Sequence, residues 1–447
     1  MKDDPRVIEA KKLLMEVVKE RQADISEIRP ADPTLAKNYL ELIEQCGRER
    51  GGALWFPFVG AGIGNGPFVK LLDGSVKYDF ISGIGVHHFG HSHPEIISSS
   101  IDAAISDTIM QGHLQQNADQ IELINLLVKE SGLDHCFLST TGAMANENGL
   151  KIALQKNAPA NRVLAFERAF CGRTWVMAQV TEKHDVRDGL PVNLGVDYIP
   201  FYDPARPEES TRRATEELKK YLKRYPKQHA AMICELIQGE GGFYPGSTEF
   251  FTEIMSILKE HHIAVIIDEV QTFGRTSRLF AFQHFGLEEF ADIVTIGKLS
   301  QVCATLYKTE YKPRPGLLSQ TFTSSTQAIH AAKVIIHLMI NQQFFGEEGK
   351  NHQVHQQFVK RFEEIRKRSP ELIKGPYGIG AMIAFTPLGG EAVRVKTFVD
   401  RLYQAGVLSF ICGKEPTRTR FLPPVGAITE QDIDNVCIIL EETLKCS

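Results

Sequence analysis

Two side chains of opposite charge end apolar runs thirty positions apart: Asp268 in Ile266-Ile267-Asp268-Glu269-Val270-Gln271-Thr272 and Lys298 in Ile296-Gly297-Lys298-Leu299-Ser300. Burying a carboxylate is costly unless a cation faces it, and a cationic ring nitrogen in a ligand is one such partner. A lysine that follows glycine among apolar residues is poised for partial desolvation, which lowers its pKa and makes the amine a nucleophile for a Schiff base. Taken singly, the Asp reads as a turn cap and the Lys as a snorkelling surface cation. Taken together they are the pair that pyridoxal phosphate requires, a carboxylate for the ring nitrogen and an amine for the aldehyde.

Four further segments lie just past apolar runs. Ser139-Thr140-Thr141-Gly142-Ala143-Met144-Ala145-Asn146-Glu147 opens a helix running through Lys151 and Leu154, and small residues there leave N–H groups free for a phosphate. Glu167-Arg168-Ala169-Phe170-Cys171-Gly172-Arg173-Thr174 offers Phe170 to stack on a planar ring and Arg173 to clamp a carboxylate. Cys234-Glu235-Leu236-Ile237-Gln238-Gly239-Glu240-Gly241-Gly242 places two acids around a glycine-rich turn, and Thr417-Arg418-Thr419-Arg420-Phe421-Leu422-Pro423-Pro424 sets an arginine before a rigid turn. Each alone is equally readable as a capped helix, packing or a solvated loop.

These residues need a scaffold that aligns strand ends. Apolar runs at His135–Ser139, Arg162–Phe166, Asp197–Phe201, Ala231–Ile237, Ala264–Asp268 and Asp292–Ile296 alternate with amphipathic helices, one of them Ser210–Arg224 with Ser210 as its cap. Such alternation predicts a mostly parallel sheet between helices, with ligands at the carboxyl ends of the strands. The first 50 residues predict helix, with Leu13, Leu14, Val17 and Val18 on one apolar stripe, and Leu54–Ser82 predicts short strands. The expected division is an N-terminal segment over 1–92 that joins a small domain, a large domain over 93–340 and a C-terminal small α+β domain over 341–447.

Composition removes other classes. The 447 residues are 43% hydrophobic and 23% charged, as globular chains are, and 50 Lys+Arg against 55 Asp+Glu leave a net charge of −5. The basic excess of a nucleic-acid binder is missing, and no apolar run reaches the roughly 20 residues of a membrane span. The charged start Met-Lys-Asp-Asp-Pro lacks an apolar signal core, and the eight cysteines form no CxxC pair, so a reduced, cytoplasmic protein is expected. Val59-Gly60-Ala61-Gly62-Ile63-Gly64-Asn65-Gly66 suggests a dinucleotide loop, but Asn65 holds a required glycine position and Pro67 and Asp73-Gly74 point to a loop or hairpin. His87, His88, His91 and His93 flank Gly90 in a loop, and a structural or interface role is expected of them rather than metal binding.

In this order the motifs resemble those of the class III pyridoxal-phosphate aminotransferases (acetylornithine, ornithine, lysine-6 and 4-aminobutyrate types), over about Lys77 to Arg420. The Asp-Glu-Val-Gln motif with its later lysine carries the likeness. So do Gly90-His91-x-His93-Pro94, Phe-x-Gly-Arg-Thr, Ile-Gln-Gly-Glu-Gly-Gly and Arg-Phe-x-Pro-Pro, all in family order. The resemblance implies an α/β chain of the type I pyridoxal-phosphate fold: a mainly parallel sheet with helices on both faces and a smaller α+β domain. It implies that Lys298 holds the cofactor aldehyde and then shuttles the substrate proton, while Asp268 pairs the ring nitrogen. Val270 and Phe170 would sandwich the ring, Gln271 would approach its hydroxyl, and Gly142 and Ala143 would hold the phosphate. Thr321 would reach the phosphate of a neighbouring subunit, which makes a homodimer the expected assembly. Arg420 would bind the α-carboxylate of glutamate or 2-oxoglutarate, Glu240 would neutralise that arginine for an ω-amine donor, and Arg173 would take a distal carboxylate.

The implied reaction moves the terminal amine of an ornithine, acetylornithine, lysine or 4-aminobutyrate type donor to 2-oxoglutarate, giving glutamate and a semialdehyde. A mutase or decarboxylase of the same fold is the alternative. Several positions depart from the family pattern: Cys171 replaces a His, Thr272 runs straight into Phe273 without the usual Gly, Met144 stands for Glu, and Thr323-Ser324-Ser325 stands for Gly-Gly-Asn. Gly142-Ala143-Met144-Ala145 and the run after Lys298 are most similar to the lysine-6 subgroup. The amine donor is therefore the open element.

Overall fold

A computed structural model describes residues 1–54, 57–107, 110–112 and 114–446. Its centre is a seven-stranded sheet: β1 (His135–Ser139), β2 (Arg162–Phe166), β3 (Gly195–Ile199), β4 (His229–Cys234), β5 (Ala264–Glu269), β6 (Ile293–Ile296) and β7 (Cys303–Tyr307), in the spatial order β1-β7-β6-β5-β4-β2-β3. Strands β3, β2, β4, β5 and β6 run parallel to one another, and β7 runs antiparallel to both β6 and β1.

Both faces of this sheet are buried, so its strands are apolar at every position rather than alternating. Val163, Ala165, Ile233, Ala264, Ile266 and Ile293 pack on one face with Leu150, Ile152 and Ala153 of the helix Gly142–Lys156. Leu164, Met232, Val265, Ile267 and Val294 point the other way into the larger core. This period of two decides where the polar strand-end residues go. Asp268 shares the face of Ile266, beneath the helix Gly142–Lys156, whereas Glu269 turns to the opposite face and accepts the backbone N–H groups of Ala281 and Phe282 at 2.7 and 2.8 Å.

Outside this sheet, Gly60–Asn65, Phe68–Leu71 and Val76–Asp79 form a meander whose last strand pairs in parallel with Val407–Leu408. A second four-stranded sheet orders Ile373–Tyr377, Ile383–Pro387, Arg418–Phe421 and Phe410–Cys412 side by side. Early and late parts of the chain are thus joined through backbone pairing.

Several sequence expectations are corrected. β7 was not anticipated: it follows Lys298 closely, without a turn dipeptide, and returns against β6. The third strand spans Gly195–Ile199 rather than Asp197–Phe201, and the fourth stops at Cys234 because Glu235 and Leu236 leave the ladder before a short Ile237–Gln238 pair. The helix expected from Ser210 begins at Pro207, where proline's fixed φ suits the first turn and Glu208 and Glu209 follow; Ser210 lies inside it and donates to the Pro207 carbonyl at 3.0 Å. The glycine-rich 59–66 stretch is, as expected, a hairpin arm rather than a phosphate loop. The first helix exists, Pro5–Gln22, but Leu13, Leu14 and Val17 are 55%, 50% and 54% exposed, so the apolar stripe has no cover within one chain.

The amino ends of β2, β3 and β4 are held by charge. Arg162 grips Asp197 with two N–H groups at 2.8 and 2.6 Å, His229 meets the same carboxylate at 2.8 Å, and Tyr225 stacks 3.9 Å from the guanidinium. Removing the shared acid strands a buried His229 and a part-buried Arg162. Asp197→Ala should cost about 3 kcal/mol in urea unfolding, and because it lies at the opposite end of the strands it should leave substrate KM values unchanged.

Candidate active site

Asp268 ends β5 with 4% exposure, and only neutral donors bond to it. Its Oδ1 accepts the Val270 N–H at 2.9 Å and its Oδ2 accepts the Asn146 amide at 2.6 Å. Asn146 donates its second hydrogen to the Cys171 carbonyl at 2.8 Å and accepts from the Thr295 hydroxyl at 2.6 Å, so its side-chain orientation is fully determined. Burial pushes the Asp268 carboxyl up to about 6, against the pull of these donors and of Lys298.

Lys298 follows an extended Gly297 and itself adopts φ 51°, in the left-handed region. Burial presses its ammonium below the usual lysine range, while Glu240 opposes that shift; Arg420, Asp268 and Glu235 complete the charges it feels. Val270 is the packing hub beside it. A Cβ on Gly142 would come within 2.7 Å of Val270, and one on Gly297 within 2.9 Å of the Cys303 sulfur and 3.2 Å of Val270. Glycine is required at both positions because helix start, β5 end and β6 end close on one side chain.

The helix Gly142–Lys156 is capped by Thr141, whose hydroxyl accepts from Met144 N–H at 3.1 Å and whose carbonyl accepts from Ala145. The Gly142 and Ala143 N–H groups precede the first intrahelical bond and remain available to an anion. On the other side Arg420, fully buried, pairs with Glu240 at 2.7 Å and donates to Gln271 at 3.2 Å. Burial raises the Glu240 carboxyl, but Arg420 and Lys298 outweigh it and hold the group below its ordinary value. Phe170 is half-buried; Arg173 is exposed, 5.8 Å from the Phe170 ring, and its loop is tied to the helix by Thr174 donating to Glu147 at 2.6 Å.

Lys298, Asp268, Val270, Gln271, Gly142, Ala143, Phe170, Glu240 and Arg420 therefore converge on one end of the sheet, with Arg173 at its rim. Thr321 does not join them: it is exposed, its carbonyl packs on Gly112, and no hydrogen bond among the described residues connects it to the Lys298 cluster. Asn146, Thr295 and Glu235 are members that sequence reasoning left without a role. Asn146 carried a usable signal, since it lies one helical turn behind Gly142 on the face turned to the sheet. Glu235 shares the sheet face of Ile233 by the same period of two that places Asp268. The histidine loop is structural in these contacts. His91 bonds Asp79 at 2.8 Å, His87 stacks on His91 at 4.5 Å, and His88 faces the buried Arg275 at 3.5 Å.

The family model for class-III aminotransferases matches residues 58–444, and the chain belongs to that family. It is a transaminase. It is 29% identical over 395 residues to an acetylornithine aminotransferase of Methanocaldococcus jannaschii, covering 85% of this chain and 92% of that one. It is 31% identical over 393 residues to that of Listeria innocua, covering 86% and 94%. A solved lysine aminotransferase of M. tuberculosis superposes with a TM-score of 0.79 at 21% identity, covering 90% of this chain and 99% of that one.

The residues present fit the cofactor that the family implies, pyridoxal phosphate. Three carboxylates (Asp268, Glu235 and Glu240) face two cations (Lys298 and Arg420), leaving Asp268 without a bonded cation and able to receive a ring N–H. The free N–H pair of Gly142 and Ala143 suits the phosphate.

The raised carboxyls give a pH signature. The folded pKa of Asp268, about 6, and those of Glu235 and Glu269, about 8, exceed the unfolded values of 3.8 and 4.5. Their contribution is therefore complete below pH 3.8 and lost as pH rises through 6 to 8. Relative to the cofactor-loaded protein, the cofactor-free protein should lose thermal midpoint between about pH 4 and 6, because a cation opposite Asp268 removes its share of the loss. Parallel calorimetric profiles of the two forms would contradict this.

Proposed function

We propose that the chain transfers the terminal amine of an amino-acid-like donor, of the ornithine, acetylornithine, lysine or 4-aminobutyrate type, to 2-oxoglutarate, giving glutamate and a semialdehyde. The observation that carries the reading is the buried Arg420–Glu240 pair beside Lys298. A fully buried guanidinium is a strong receptor for a carboxylate but needs a counter-charge when the occupant lacks one there. Glu240, 29% exposed at its side chain, is able to swing away for glutamate and return for an ω-amine donor.

Pyridoxal phosphate, held by Lys298, Asp268, Val270, Phe170, Gln271, Gly142 and Ala143, supplies an electron sink for the bond broken at the amine-bearing carbon. Asp268 keeps the positive charge of the ring nitrogen in place. The Lys298 amine, its pKa lowered by burial, takes the proton from the substrate carbon and returns it as general acid. Arg420 and Arg173 orient dicarboxylates from opposite ends. The half-buried position of Lys298 and the close packing around Val270 limit water at the reacting atoms.

The reading includes a homodimer. Thr321 is exposed and free to reach a neighbour's phosphate, and the uncovered Leu13, Leu14 and Val17 give a second copy an apolar surface. Eight free cysteines, most of them buried, suit a reducing cytoplasmic setting.

The test is the visible spectrum of purified protein loaded with pyridoxal phosphate, before and after glutamate. The expected result is a band of Lys298-linked cofactor that converts to the pyridoxamine band; Lys298→Ala should abolish both. No band at all overturns the reading. A band indifferent to glutamate favours a mutase or decarboxylase.

Arg420→Gln should lower kcat/KM for glutamate and 2-oxoglutarate by about 100-fold, the loss expected for a charged bidentate contact. The amine donor that turns over best in a panel should be affected much less.

A further inference from the structure

Glu235 is a buried acid for which the reaction has no assigned use. It follows β4, is 7% exposed, and bonds no Lys or Arg side chain among the described residues. Its two oxygens are divided between two segments. Oε1 accepts the backbone N–H of Phe170 at 3.1 Å, and Oε2 accepts the backbone N–H of Gly239 at 2.8 Å. Phe170 belongs to the loop that lines the ring face and leads to Arg173. Gly239 starts the Gly239–Gly242 turn, and the next residue is Glu240.

We propose that Glu235 is a positioning residue that fixes the Phe170 loop and the Glu240 turn relative to each other, setting the spacing between the ring-stacking face and the Arg420 carboxylate receptor. The inference rests on the transaminase reading for its kinetic part.

Surrounding contacts show why a carboxylate is needed. A second bond runs alongside, Gln238 donating to the Glu167 carbonyl at 2.6 Å, so the two segments are clasped by adjacent residues. The turn has no slack on its other side: a Cβ on Gly239 would lie 2.6 Å from the Gln271 side chain, which itself bonds Arg420. Two N–H donors aimed at two different oxygens require two acceptors. An amide offers one and turns an NH2 against the other donor; an aspartate is one methylene too short to reach both. Glu235→Gln and Glu235→Asp are therefore both expected to release one of the two segments, although each is chemically mild. Burial and the nearby Asp268 push the Glu235 carboxyl up to about 8, against the pull of the Gly239 and Phe170 N–H groups and of Lys298, which favour the carboxylate.

The experiment compares wild type, Glu235→Gln and Glu235→Asp, all loaded with pyridoxal phosphate, by backbone hydrogen exchange and steady-state kinetics. Exchange should quicken by about tenfold in peptides spanning Phe170 or Gly239, with the sheet peptides over β4 to β6 unchanged. KM for glutamate and 2-oxoglutarate should rise about tenfold with kcat falling less. Unchanged exchange at Phe170 and Gly239 in both variants would overturn the proposal. So would a loss of protection spread over the whole sheet, or a fall in active fraction with unaltered KM. If one variant does not fold, the other decides. If wild type does not react with glutamate, the transaminase reading fails, while the exchange data still decide whether Glu235 clasps the two segments.

Discussion

A carboxylate sealed at the end of a central strand, bonded only by neutral donors, sets the terms for everything around it. Asp268 is buried because the sheet is covered on both faces, and its bonds to Val270 and Asn146 satisfy its oxygens without neutralising its charge. An acid so placed either takes up a proton or finds a cation. Lys298 is a cation in its reach, and the ring nitrogen of the cofactor that the family implies would be another. At Gly142 and Gly297 the backbone comes so close to Val270 that no side chain would fit. The neighbouring Glu269 shows the contrast: one position along, it falls on the other face and serves only to bond the N–H groups at the start of a short helix.

Much of this was readable in the amino-acid sequence because strand ends announce themselves. A β-branched run closed by Asp268, and another closed by Gly297-Lys298, fixed two points of the site and the parallel character of the sheet between them. What stayed hidden depends on contacts between distant segments. Asn146 meets Asp268 across 122 positions, and Glu235 meets Phe170 across 65. No local period encodes either partner. β7 escaped notice for another reason: antiparallel return without a turn dipeptide leaves no mark except burial. The start of the helix at Pro207 was missed because Ser210 resembles a cap, while proline and two acids held the true first turn.

The departures from the family pattern are absorbed by backbone. Cys171, in place of a ring neighbour, is buried; its carbonyl accepts from Asn146 and its N–H donates to Thr181 at 3.0 Å, so the loop is held by main-chain groups whatever the side chain. In Thr323-Ser324-Ser325, Thr323 donates twice to the Gln111 carbonyl, Ser324 and Ser325 pair with Gln111 and Met110, and Ser325 caps the helix Thr326–Asn341. A glycine pair would supply none of these side-chain bonds. The 110–112 segment is thereby stitched to the approach to Thr321, the residue proposed to reach a neighbouring site.

The turn that carries Glu240 is anchored through its main chain. Phe243 N–H bonds the Gln238 carbonyl at 2.7 Å, Gly413 N–H bonds the Glu240 carbonyl at 2.9 Å, and Arg418, stacked 3.5 Å from the Tyr377 ring, holds the Gly242 carbonyl at 2.5 Å. Moving the Glu240 carboxylate off Arg420 therefore requires rotation about side-chain bonds only. The exchange of one substrate's charge pattern for the other's is thus confined to one ion pair and one side chain: the carboxylate turns away from a fully buried guanidinium while the main chain that carries it stays in place.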